Sequence, residues 1–150
     1  MLEIPNPHLI HRSASAVWEG SLRQGEGNLT TESGVLLAAP YSNSGILVGR
    51  VGTNPDELIA ASLCGCFSMA LSNELALAGF PPLSVETTAT ATLEDIADGW
   101  TITRMQLDVH AKVPNVTEFR FMDAALTAKA NCPIARLLKT NISMTATLDL

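Results

Sequence analysis

Three side chains in this chain can change oxidation state under mild conditions: Cys64, Cys66 and Cys132. The thiolate is the reactive form of cysteine, so each is weighed by what would ionise it and what would receive it. Cys64 and Cys66 form a Cys-Gly-Cys, a pattern that holds metal when it lies on a loop. On a helix, two positions apart, their side chains diverge by about 200° and cannot share one ion. His8, His11 and His110 lie far off in sequence, so no metal site is expected. Cys132 precedes Pro133, and proline suits the first turn of a helix. This predicts a short helix over residues 134–138 with Cys132 at its cap, where free N–H groups lower a thiol's pKa and make it a redox candidate. Cys66 alone fits a redox thiol and a small buried side chain equally well, whereas nothing further points to Cys64, which reads as packing.

A helix must position the first two cysteines. At Thr53-Asn54-Pro55-Asp56-Glu57 a capping residue, a first-turn proline and two acids coincide. The helix that starts there runs to Gly79, where glycine and then Pro81-Pro82 stop it, about six turns later. Between Glu57 and Glu74 it carries no charge, which predicts a central helix covered by protein over most of its circumference. Before it, residues 13–18 read as a strand, 20–27 as a turn and 28–37 as two short strands around Ser33-Gly34. Residues 39–52 form a loop with an apolar centre at 46–48. After the helix, 84–93 and 100–113 pair as a long hairpin, 115–129 forms a second amphipathic helix, and 142–148 closes the chain as a strand.

At 150 residues and 47% apolar content the chain supports one core, so residues 1–150 are read as a single domain with 1–12 as an N-terminal extension. The net charge is −6 with the nine Lys and Arg scattered, which excludes a phosphate-tracking surface and nucleic acid as partner. Residues 58–71 are apolar but interrupted by Ser62, Gly65 and Ser68, short of the ~20 residues of a membrane span, so no membrane is expected. The N-terminal residues lack a secretory pattern, and an odd cysteine count suits reduced thiols, so the expected location is the cytoplasm.

The segments Gly52-Thr53-Asn54-Pro55-Asp56-Glu57-Leu58, Cys66-Phe67-Ser68-Met69-Ala70-Leu71 and Asn131-Cys132-Pro133-Ile134 resemble the OsmC/Ohr family of organic hydroperoxide reductases. Trp18-Glu19-Gly20, Thr31-Glu32-Ser33-Gly34-Val35-Leu36 and Pro40-Tyr41 resemble its OsmC branch. The resemblance implies an α+β, OsmC-like fold in which two central helices are flanked by antiparallel sheets in an intertwined homodimer. It implies a thiol peroxidase in which Cys66 attacks an organic hydroperoxide, becomes a sulfenic acid and is captured by Cys132 as a disulfide. A dithiol reductant, lipoyl or small-molecule in type, then restores the thiols, and no cofactor such as flavin, haem or metal takes part.

In the family an arginine held by an acid supports the attacking thiolate. That acid corresponds here to Asp56, a Glu-to-Asp change, and the arginine's position is occupied by Ile46. Arg50, four residues on in the same loop, is taken as the replacement, with Arg23 in the first hairpin as the other candidate. Ile46, Leu47, Phe67 and Met69 are expected to form an apolar pocket suited to a bulky hydroperoxide. Asp56 and Cys66 lie about 15 Å apart along one helix, so a shared site requires the partner subunit or a fold-back of the chain. The competing reading keeps the dimer and its pocket but binds a small apolar ligand or senses oxidation with little turnover.

Overall fold

The structure, a computed structural model, describes residues 8–43 and 52–149. The chain divides after Pro55 into two compact units. The first is an antiparallel sheet of β1 (Ala14–Glu19), β2 (Glu26–Thr31) and β3 (Ala39–Tyr41), in that order. Gly27 permits its packing: a Cβ there would stand 2.5 Å from both Trp18 and Tyr41 ring carbons, and those rings close to 5.5 Å between centroids. The returning strand begins at Ala39, later than the two strands expected within residues 28–37. Ala38 has a left-handed φ of 47°, which breaks the extended path, and its N–H is taken by the Thr30 hydroxyl at 3.0 Å. Beyond β3, Ser42 N–H donates to Thr53 O and Thr53 N–H to Pro40 O, each at 3.0 Å. The apolar loop centre at 46–48 lies outside the described residues.

The second unit holds α1 (Pro55–Leu77), β4 (Ser84–Ile96), β5 (Gly99–Lys112), α2 (Glu118–Asn131), α3 (Pro133–Leu137) and β6 (Asn141–Asp149). The end of α1 follows from Gly79, whose φ of 90° lets Gly79 N–H reach Ala76 O and Phe80 N–H reach Leu75 O, a Schellman closure. At the start of α2, Thr117 accepts the Arg120 N–H. β4 and β5 pair as the expected antiparallel hairpin, with a bulge at Thr92/Leu93. β6 lies on the far side of β5 and runs parallel to it, so this sheet is mixed. The physical reason is the helical connection: α2 and α3 carry the chain back across the sheet, as a parallel neighbour requires.

Leu63, Phe67, Leu71 and Leu75 recur every fourth residue on α1 and are fully buried, one stripe of a helix. They share a core with Met105, Leu107, Val109 and Ala111, alternate residues of β5, and with Phe121, Ala125 and Ala128 of α2. The remaining surface of α1 is more open than its charge-free sequence implies: Met69 and Leu77 are 70% and 76% exposed. By length and composition alone α1 as a whole could cross a bilayer, although residues 58–71 fell short. Its buried stripe is instead the spine of the second unit's core.

Candidate active site

Cys66 and Cys132 reach each other from different elements. Cys66 lies three residues after Leu63 and one before Phe67, at the border of the α1 stripe, half-buried and packed against the core. Cys132 ends α2 and begins α3: its N–H donates to Ala128 O at 2.8 Å and its carbonyl accepts from Arg136 N–H at 3.0 Å. Pro133 at the first position of α3 prevents α2 from continuing. This fixes Cys132 in a break between two helices, with no solvent exposure. There its thiol lies near enough to Cys66 for that side chain to act on its protonation. Both are free thiols.

The protonation of Cys132 differs from the expectation for a helix cap. Burial pushes its thiol above the ordinary value of 9.0, and the neighbouring Cys66 side chain pushes the same way. The amides of Ala135 and Ile134 pull it down but are outweighed, and neither makes a full capping hydrogen bond to the sulfur. Desolvation of the charged form therefore exceeds the help of the helix start. Cys132 is a neutral thiol at neutral pH, with one S–H to donate.

The neighbours of this pair are mostly apolar. Ser68 Oγ lies 2.8 Å from the Cys64 carbonyl and 2.8 Å from Thr87 Oγ1, so one hydroxyl ties the helix backbone at the cysteines to β4. In the sequence Ser68 only interrupts an apolar run, and its link to Thr87 depends on sheet register that no local pattern reveals. Cys64 is half-buried and turns its sulfur to the Ala61 carbonyl at 3.4 Å. It points away from Cys66 as helix geometry requires.

Asp56 stands half-buried in the first turn of α1, about 15 Å along the axis from Cys66. Arg50, Ile46 and Leu47 lie outside the described residues. Arg23 is in an exposed turn between β1 and β2. The expected pocket is not assembled from Phe67 and Met69: Phe67 is fully buried in the core stripe, whereas Met69 is 70% exposed. Two positions apart on a helix, they face different sides.

A family profile described as OsmC-like protein matches residues 48–147. Peroxiredoxin OsmC of Escherichia coli (strain K12) is 42% identical over 135 residues, covering 90% of this chain and 94% of that protein. An OsmC-like protein of Vibrio cholerae superposes with a TM-score of 0.78 at 17% identity, over 93% of this chain and all of that one. The organic hydroperoxide resistance protein OhrB of Bacillus subtilis superposes with a TM-score of 0.66 at 20% identity, over 91% and 98% of the two chains. The solved structures establish the likeness of fold, and the sequence relative carries it into kinship.

Proposed function

The chain belongs to the OsmC-like family and is a peroxidase, and from that premise we propose that it reduces organic hydroperoxides through Cys66, with Cys132 as resolving thiol. The carrying observation is the proximity of these two side chains, Cys132 inside the core and Cys66 packed against it, close enough for Cys66 to act on the protonation of Cys132. In the first step the Cys66 thiolate attacks the distal peroxide oxygen, the O–O bond breaks, and the alkoxide leaves to be protonated as the alcohol. Cys66 is then a sulfenic acid. In the second, Cys132 loses its proton and attacks the Cys66 sulfur, expelling water and forming the disulfide. A dithiol supplies two electrons to restore both thiols.

The division of roles follows from environment. Cys132, neutral and wholly buried, is protected from peroxide yet adjacent to the sulfenic acid once that forms. Cys66, half-buried, is the sulfur a substrate can reach. We assign the supporting guanidinium to Arg50 and its orientation to Asp56, by analogy with the family's Arg–acid pair. The apolar character of α1 around Cys66 favours a hydroperoxide with a hydrocarbon substituent.

The chain acts, in this reading, as a homodimer in which 1–150 forms one OsmC-like domain. Support comes from α1, whose exposed face carries Ala61, Gly65 and Met69 without charge, and from open space beside Gly65. A second copy is the cover that such a face suits.

The test is turnover of cumene hydroperoxide with dithiothreitol as reductant, together with intact-mass analysis after one equivalent of peroxide. Wild type should lose two hydrogens, and Cys66→Ser should not change. Failure to consume the peroxide, or oxidation centred on Cys64, would refute the assignment; sedimentation of an active monomer would refute the dimer.

A further inference from the structure

Most of what holds α1 is apolar and therefore without direction. The stripe of Leu63, Phe67, Leu71 and Leu75 is buried in one core with β5 and α2, and such contacts resist separation more than they resist rotation about the helix axis. Beyond its first turn α1 makes, among the described residues, one side-chain hydrogen bond to another element: Ser68 Oγ to Thr87 Oγ1 at 2.8 Å. Thr87 pairs with the buried Val109 and so stands on the inner face of the sheet. Ser62 shows what is particular to Ser68. Its hydroxyl meets the Leu58 carbonyl at 2.9 Å, the same bond that Ser68 makes to Cys64 at 2.8 Å, but goes no further. The turn that Ser68 closes, residues 64–68, is the one that carries Cys66.

We infer that Ser68 and Thr87 are positioning residues that fix the rotation of α1 so that Cys66 faces Cys132. The inference rests on the disulfide mechanism proposed above and adds what aligns its second step. Cys66 stands half-buried at the border of the buried stripe, while Cys132 is wholly buried, so rotation of the helix carries one sulfur away from the other. For a side-chain atom about 5 Å from the axis, a rotation of about 12° is a displacement of about 1 Å. A misplacement of that size costs a positioned reaction up to about a hundredfold. Closure joins the two sulfurs, breaks the Cys66 S–O bond and releases water, and the fold must deliver both sulfurs. Attack on a hydroperoxide is less demanding, because the substrate moves to meet the thiolate. The Ser68–Thr87 bond therefore acts on closure and spares the first step.

The test follows one turnover of the full chain after mixing with one equivalent of cumene hydroperoxide, with intact mass read on quenched samples. Gain of oxygen reports the sulfenic acid, and loss of two hydrogens reports the disulfide. Ser68→Ala combined with Thr87→Val removes both hydroxyls together, leaves neither without its partner and should melt within about 5 °C of wild type. In it closure should slow by about ten- to a hundredfold, so that the oxygen-bearing species accumulates, while the rate of its formation stays within about twofold. Each single variant should be about as slow as the pair, as expected of one shared bond. Thr87→Ser, which keeps a hydroxyl at that position, should close like wild type. So should Ser62→Ala, which loses only a bond within the helix. Should the double variant not fold, Thr87→Val alone decides, because Ser68 then keeps its bond to Cys64. Closure at the wild-type rate in these variants, or equal slowing of both steps, overturns the positioning role while the disulfide chemistry stands. A wild type that forms no Cys66–Cys132 disulfide overturns the mechanism and this role with it.

Discussion

Replacing Cys132 separates what its sulfur does for the fold from what it does for the reaction. The residue is fully buried between α2 and α3, so Cys132→Ala removes one sulfur-sized group from a packed core. That is comparable to deleting a methylene or two, about 1–2 kcal/mol. Cys132→Ser keeps the volume but buries a hydroxyl in a site built for a thiol, at about 1–3 kcal/mol. The Ala135 and Ile134 amides, which act on the native sulfur, offset part of this. For a chain of this length about 2–4 °C of Tm accompanies each kcal/mol, so both variants should melt within about 10 °C of wild type.

The effect on chemistry is far larger. Without a thiol at 132, the Cys66 sulfenic acid has no internal partner, and one equivalent of hydroperoxide should add oxygen to the protein in place of removing two hydrogens. The first turnover should be retained, with dithiol-dependent recycling slowed by roughly two orders of magnitude or more, the scale of losing a positioned reactive group. The assays are thermal unfolding, intact mass and pre-steady-state peroxide consumption on the same samples. An intramolecular disulfide formed in Cys132→Ser, or loss of the first turnover in a variant that melts normally, refutes the assignment of 66 as attacker and 132 as resolver.

Phe67→Ala empties a fully buried site and should cost about 3–5 kcal/mol, whereas Phe67→Leu should cost far less; urea unfolding checks the contrast. Gly52 has a φ of 116° and its Cβ would fall 2.3 Å from Pro40 O, so Gly52→Ala should destabilise the first unit by about 1–3 kcal/mol, measured by the same unfolding. Cys132 has its pKa raised in the folded state, so between its unfolded and folded values the native chain holds more protons. Stability should therefore be complete below pH 9.0 and decline above it, and Cys132→Ala should flatten that decline in denaturation curves taken across alkaline pH.

The elements that carry the cysteines were legible because their boundary signals are local. Pro55 with Asp56 and Glu57, Gly79 before Pro81, and Pro133 after Cys132 each act within a turn of chain, and both ends of α1, the end of α2 and the start of α3 lie beside them. Features set by distant partners were not legible. The parallel pairing of β6 depends on the route of α2 and α3 across the sheet. The late start of β3 depends on one left-handed alanine, an uncommon conformation that no residue type announces. The protonation of Cys132 was expected to follow its helix cap, yet burial dominates it, and burial is a property of the assembled core. The family pattern placed Cys66 and Cys132 together; the arginine could not be read because Ile46 stands where that pattern puts it.

The tilted pair of Trp18 and Tyr41, set against Gly27, gives the small sheet an optical signature of its own. Tyr41 is the sole tyrosine, and the other tryptophan, Trp100, sits 63% exposed at the start of β5 in the second unit. With excitation that only tryptophan absorbs, emission in a Trp100→Phe protein would come from the first unit alone, and in Trp18→Phe from the second. Heating the two side by side would reveal whether the units lose their structure at one temperature or in succession, without any added label.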